Sequence, residues 1–174
     1  MNTLVEKPIP GMNGFFARED GIIRGPNGIM PMRPNNCGYE QIWLRNPMNK
    51  KYIYKLVHRL VAKAWVHNPC PETFGIVDHI DHDPSNNKPE NLRWVTQQLN
   101  CLNSDKPSGC HYVRRWHKWI ARLGLDNKSK YLGAYKTEAE AHDVYKSAKA
   151  QAFQSIYNKH VHEAPQTGPS FLRD

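Results

Sequence analysis

The feature that most constrains this chain is a run in which two short apolar stretches bracket a loop of acids, imidazoles and amides. Phe74-Gly75-Ile76-Val77 leads into Asp78-His79-Ile80-Asp81-His82-Asp83-Pro84-Ser85-Asn86-Asn87, and Leu92-Arg93-Trp94-Val95 brings the chain back ahead of Thr96 and Asn100. Short apolar runs bounded by turn formers read as strands. Thr96 is a plausible cap for a helix carrying Asn100. The run therefore predicts a strand, a polar loop, a second strand and a helix, folded so that Asp78 and His79 come near Asn100.

That set of side chains suits one kind of chemistry. A phosphate ester resists water at neutral pH because attack builds charge on oxygens that repel the nucleophile, so hydrolysis needs a cation and a base together. Asp78 and Asn100 are candidates to hold the cation and His79 to be the base. Asp81-His82 repeats the acid-imidazole pair three residues on, so the register is not unique. A calcium-loop reading of Asp81 to Leu92 fails: Asn86 stands at the sixth position, where glycine is needed, and Leu92 at the twelfth, where glutamate is needed.

Charge points to a polyanionic partner. Lys and Arg outnumber Asp and Glu by 24 to 16, giving a net charge of +8 and a pI near 9.4, a balance that favours nucleic acid or an anionic membrane. Lys106, Arg114, Arg115, Lys118, Arg122, Lys128, Lys130 and Lys136 face only Asp126 in their segment, and a second basic zone runs from Arg45 to Lys63. Between them Glu72, Asp78, Asp81, Asp83 and Glu90 make an acidic stretch, as expected where a cation sits between surfaces that grip phosphates. Cys37, Cys70, Cys101 and Cys110 form no C-x-x-C pair, which signals neither a zinc ribbon nor a redox motif. Nothing approaches the ~18 apolar residues of a membrane span, and no signal peptide is evident. The expectation is a soluble, cytoplasmic protein without membrane attachment.

Along the chain, residues 11–55 are rich in Gly, Pro and Asn and read as short strands or hairpins. Leu56, Val57, Leu60, Val61, Ala64 and Trp65 then lay one apolar stripe along a helix ending near Pro69. The polar composition of residues 104–109 suits a linker. Beyond it, Tyr112–Trp116, Lys118–Leu123 and Lys130–Tyr135 are strand candidates. Thr137-Glu138-Ala139-Glu140 is a capping box that opens a helix with Ala141, Val144, Tyr145, Ala148 and Ala152 on one face. Residues 157–174 read as a mobile tail.

Taken together, His58-Arg59-Leu60-Val61-Ala62, Asp78-His79, Asn86-Asn87, Asn91-Leu92-Arg93-Trp94-Val95-Thr96 and Asn100 resemble the HNH nucleases, in particular the homing endonucleases of phage and group I introns, over roughly residues 13–103. The resemblance implies a ββα-metal fold and one divalent cation, Mg2+ first and Mn2+ as the alternative, held by Asp78 and Asn100. It implies His79 as the base, and Asn91 as the residue that ties the loop and orients the imidazole. Many members of the family have histidine where Asn100 stands; an oxygen ligand there favours a hard cation over zinc.

Ser108-Gly109, Arg114-Arg115-Trp116-His117-Lys118-Trp119, Tyr131-Leu132-Gly133-Ala134-Tyr135 and Thr137-Glu138-Ala139-Glu140-Ala141-His142 resemble the DNA-binding domain of plant ethylene-response factors, the APETALA family. This resemblance implies a three-stranded sheet that reads DNA through Arg114, Trp116, Arg122 and Tyr131. Strand alternation gives an independent reason: Tyr112, Arg114, Trp116, Lys118 and Arg122 share one parity, Val113, Trp119, Ala121 and Leu123 the other.

The sequence thus predicts an α+β chain. Residues 1–103 form an HNH nuclease domain with a β-rich, DNA-contacting N-terminal region, 104–109 a linker, 110–156 the sheet-and-helix module and 157–174 a tail. The expected activity is site-specific, metal-dependent cleavage of double-stranded DNA by a monomer, with a dimer as the alternative, in the bacterial host cytoplasm if a phage encodes it. Arg59 and Arg93 join Arg114, Trp116, Lys118, Arg122 and Tyr131 as candidate DNA contacts. The competing readings are a noncatalytic DNA-binding regulator and a structural RNA-binding protein.

Overall fold

A computed structural model describes residues 4–45, 49–104, 109–126 and 128–163. The chain divides into two compact units, residues 1–96 and 97–174. The division falls ahead of the helix that carries Asn100, not in the polar stretch 104–109, of which residues 105–108 lie outside the described residues.

The first unit opens with a four-stranded antiparallel meander, β1 (Glu6–Pro8), β2 (Phe16–Arg18), β3 (Ile23–Gly25) and β4 (Gly28–Ile29). A second antiparallel sheet joins β5 (Arg33–Pro34), β6 (Glu40–Arg45) and β7 (Tyr52–Leu56). On β6 and β7, Trp43 pairs with Tyr54 and Arg45 with Tyr52. All four side chains are exposed, so one face of this sheet is aromatic and basic while Ile42 is buried on the other.

α1 (Val57–Trp65) follows at once and buries Val57, His58, Leu60, Val61 and Ala62. Of the apolar stripe read from spacing, Val57, Leu60 and Val61 are buried and Leu56, Ala64 and Trp65 half-buried, and His58 and Ala62 join the buried face. Its last residue ties it to the first sheet, because Trp65 Nε1 donates to the Ala17 carbonyl at 2.8 Å. The hairpin of β8 (Ile76–His79) and β9 (Leu92–Val95) completes the unit, and Trp94 Nε1 donates to the Val66 carbonyl just beyond α1 at 3.1 Å. β8 starts two residues later than the sequence suggested and ends two later. Asp78 and His79 are therefore strand residues, in register with Arg93 and Leu92, and pairing fixes their backbones as a loop would not.

The second unit begins with α2 (Gln97–Asn103), so strand, loop, strand and helix follow one another in the expected order. An antiparallel sheet of β10 (Cys110–Val113), β11 (Lys118–Leu125) and β12 (Lys128–Tyr135) then packs on α3 (Glu138–Glu163). The capping box forms: Glu140 N–H donates to Thr137 Oγ1 and Thr137 N–H to Glu140 Oε2, each at 3.2 Å. Leu102 of α2 shares one apolar cluster with Ala121, Leu123, Ala141 and Tyr145. That burial explains why α2 belongs with this unit. Gly109 adopts φ +123°, and a Cβ there would stand 2.3 Å from the Tyr145 ring, so close packing of sheet on helix demands glycine.

Three expectations need correction here. Arg114–Trp116 is a 3₁₀ turn, not strand, and His117 after it is left-handed at φ 50°. The turn resets the alternation: Tyr112 pairs with Trp119, on the core side, whereas Lys118, Ile120 and Arg122 share the other side. On that side Arg122 stands opposite Tyr131 and both are exposed, but Ile120 is only 2% exposed. Finally, α3 runs through Glu163, so residues 157–163 are helical and not a tail; residues 164–174 lie outside the described residues. Apolar side chains near this end, Phe153 and Ile156, pack against the cluster and extend the helix past its alanine face. Among the described residues no helix is long and apolar enough to cross a membrane.

Candidate active site

The end of β8 places two functional groups side by side in a shielded position. Asp78 is 7% exposed and His79 5%. Across the hairpin, Arg93 Nε and Nη2 each donate to Asp78 Oδ2 at 2.9 Å. The register of the hairpin sets Arg93 opposite Asp78. The two charge-assisted hydrogen bonds hold the buried carboxylate in one orientation.

The loop after β8 is held by Asn91, at the end of a 3₁₀ turn, Pro89–Asn91. Its Oδ1 accepts from the Asp81 N–H at 3.1 Å, its Nδ2 donates to Asp81 Oδ1 and to the Asn86 carbonyl at 2.9 Å each, and its own carbonyl accepts from Ile80 N–H at 2.9 Å. One amide thus closes both ends of the loop. Asp81 also accepts from Asn86 Nδ2 and the Asp83 N–H, and these bonds hold its carboxyl below the usual carboxylate range. The second acid-imidazole pair is thereby distinguished from the first. Asp81 works as a loop tie, and His82 is exposed with φ 65°.

Four residues from outside β8 and β9 are gathered at the imidazole. His79 Nε2 lies 3.4 Å from Asn87 Oδ1, and Asn87 Nδ2 donates to Glu40 Oε2 at 3.1 Å. Tyr39 sits with its ring centroid 5.8 Å from that of His79, and His58 lies edge-on at 5.0 Å. Asn86-Asn87 was visible as a motif, but Glu40 opens β6 of another sheet and Tyr39 stands just before it, and no local spacing could have found them.

His58 is buried, and its Nδ1 has no hydrogen-bond partner among the described residues. Burial, helped by the neighbouring His79 and Arg59, pushes its pKa down to about 4 from 6.5. The unfolded chain therefore binds more protons than the folded one between those values, and stability is complete above about pH 6.5 and lost as pH falls toward 4. The loss is on the order of 2–3 kcal/mol. Denaturant titrations of the wild type and His58→Gln at pH 7.5, 6 and 4.5 should show the wild type losing more stability over this window; parallel losses would remove His58 as the cause.

The remaining predicted residues are placed as follows. Arg59 Nη2 donates to the Gly75 carbonyl at 3.1 Å, which ties α1 to the approach to β8. Asn100 stands on α2, in the second unit. Arg114, Trp116, Lys118, Arg122 and Tyr131 are all exposed, and the Arg122 guanidinium lies 5.9 Å from the centre of the Tyr131 ring. For a cation, the first unit offers the Asp78 carboxylate. Among the described residues no group of three or more His, Cys, Asp or Glu gathers for a metal. A hard carboxylate oxygen fits an ion that keeps waters and takes the rest of its shell from phosphate.

Comparison with known proteins supports the same part of the chain. Residues 55–101 match the family model described as HNH endonuclease. Three uncharacterized HNH endonucleases of Acanthamoeba polyphaga mimivirus are similar. One is 34% identical over 96 residues, covering 55% of this chain and 24% of its own length; a second is 28% identical over 102 residues, 57% and 29%; and a third is 28% identical over 102 residues, 56% and 52%. The chain thus spans about a quarter to a half of these relatives. A solved structure titled "DNA binding and cleavage by the HNH homing endonuclease I-HmuI" aligns over 90% of this chain and 91% of its own at 24% identity with a TM-score of 0.48, too slight a likeness to transfer a role to any residue. The family model and the relatives' names support an HNH endonuclease domain in this region.

Proposed function

We propose that this chain is a metal-dependent DNA endonuclease of homing type, which hydrolyses one phosphodiester at each binding event. The observation that carries the reading is the buried Asp78-His79 pair on a paired strand, next to a loop tied by Asn91. A noncatalytic binder has no use for a shielded acid and imidazole held this rigidly.

In this reading His79 takes a proton from the attacking water. The new bond forms from water oxygen to phosphorus, the bond to the 3′ oxygen breaks, and the ends are a 5′-phosphate and a 3′-hydroxyl. Asp78 supplies one ligand to a divalent cation, Mg2+ first and Mn2+ as the alternative. Asn100 is assigned as the second ligand on the sequence resemblance alone. When bound, the cation would neutralise charge that builds on the phosphate and the leaving oxygen. Arg93 holds the Asp78 carboxylate in place, and Asn91 is a positioning residue.

Double-stranded DNA is the proposed partner of both units. In the first, the exposed Trp43, Tyr54, Arg45 and Tyr52 offer stacking and phosphate contacts. The second unit has the three strands and packed helix that an ethylene-response-factor module needs, and Arg114, Trp116, Lys118, Arg122 and Tyr131 are its proposed contacts. The Arg114–Trp116 turn and the buried Ile120 depart from a flat, open reading face. Supercoiled plasmid incubated with the protein and Mg2+ should become nicked circles, and a chelator should prevent it; equal nicking with chelator would overturn metal dependence.

Binding tests the second unit separately. Arg114→Ala and Arg122→Ala should each weaken DNA binding and lower the slope of log affinity against log salt by about 1, the counterion released per phosphate contact. Unchanged slopes in both would remove these residues from the phosphate surface.

A further inference from the structure

We propose that Glu40 and Asn87 set the tautomer of His79, placing the ring proton on Nε2 and the basic lone pair on Nδ1. The amide of Asn87 has two donors on Nδ2 and an acceptor in Oδ1. Nδ2 points at Glu40 Oε2 and at the Ser85 carbonyl, each at 3.1 Å. Both partners are acceptors. A flipped amide would set its oxygen against two other oxygens and lose both bonds, at a site only 4% exposed, where water is poorly placed to replace them.

The amide oxygen is therefore the atom that meets the ring, 3.4 Å from His79 Nε2. An acceptor there requires Nε2 to donate. A neutral imidazole that carries its proton on Nε2 has its lone pair on Nδ1, and Nδ1 becomes the atom that takes a proton. The order of command runs from a carboxylate at the start of β6 through an amide in the loop to an imidazole on β8, across 47 positions of sequence between Glu40 and Asn87. Glu40 and Asn87 are positioning residues, since they act through His79. The catalytic consequence rests on His79 being the base; the tautomer does not.

The experiment uses the full chain labelled with 15N histidine, without added metal, at a pH where His79 is neutral. Long-range 1H–15N correlation should show a protonated Nε2 and an unprotonated Nδ1 for His79. Asn87→Leu should give a mixture of tautomers and lower kcat for Mg2+-dependent plasmid nicking by about 10–100-fold with KM little changed. The paired substitution Asn87→Asp with Glu40→Gln reverses the polarity of that contact and still offers Nε2 an acceptor, so it should restore the single tautomer, with kcat recovering only in part because the new carboxylate would set an oxygen against the Ser85 carbonyl. A wild-type His79 protonated at Nδ1 overturns the proposal without any variant, as does a tautomer that Asn87→Leu leaves unchanged. The predicted tautomer in a protein whose nicking survives His79→Ala would uphold this inference and sink the base assignment instead.

Discussion

Replacing His79 with alanine should lower the rate of Mg2+-dependent nicking by about 10²–10⁴-fold, the range that a positioned general base contributes, while DNA binding stays within a few-fold. The substitution leaves Asp78 and its partner Arg93 intact, so the loss would report the proton transfer. Neither neighbouring imidazole is placed to take over. His58 is buried and holds a proton only below about pH 4, and His82 sits exposed on the loop with its adjacent Asp81 engaged by Asn86 and Asn91. His82→Ala is the natural companion. It should nick at near wild-type rate, and a collapse in His82→Ala with survival of His79→Ala would move the chemistry to the second acid-imidazole pair.

Asn91→Ala should be the most damaging single change to the first unit's stability. Its side chain makes three hydrogen bonds, one of them to the Asp81 carboxylate, and is only 8% exposed. Two bonds between neutral groups and one to a charged group, with partners left unsatisfied, amount to about 3–5 kcal/mol. For a unit of this size that lowers the melting temperature by upwards of about 10 °C. Nicking should fall with it, because the loop that follows His79 would lose its closure. Asn91→Asp keeps the volume but turns two donors into acceptors against Asp81 Oδ1 and the Asn86 carbonyl, so it should be no better than alanine. A variant that melts within a few degrees of the wild type and nicks normally would show that the loop closes without this amide.

What could be read from the chain beforehand was whatever is written in local spacing. The stripe of α1, the capping box of α3 and the strand-loop-strand-helix order each depend on residues a few positions apart, and each is present. The choice of Asp78-His79 over Asp81-His82 rested on the preceding strand and the family resemblance, because both pairs have the same composition. Strand register and the engagement of Asp81 by Asn86 and Asn91 distinguish them. The parity argument for the second unit failed for a related reason. It assumed a continuous strand through Arg114–Trp116, where the chain makes a 3₁₀ turn and His117 leaves the right-handed region. The partners of His79 were the least legible, since Tyr39 and Glu40 reach it only through the fold.

The stretch that comparison recognises, residues 55–101, is thus a unit of ancestry but not a unit of physics. The loop between its two strands leans on residues that precede it. Gly21, at φ +85°, approaches the Asn87 carbonyl so closely that a Cβ would stand 2.8 Å from it, Glu40 steers the Asn87 amide, and Ala17 anchors the end of α1 through Trp65. The two N-terminal sheets serve as the chassis on which a portable motif is mounted. A graft that transplants the motif alone would carry the chemistry and leave its alignment behind.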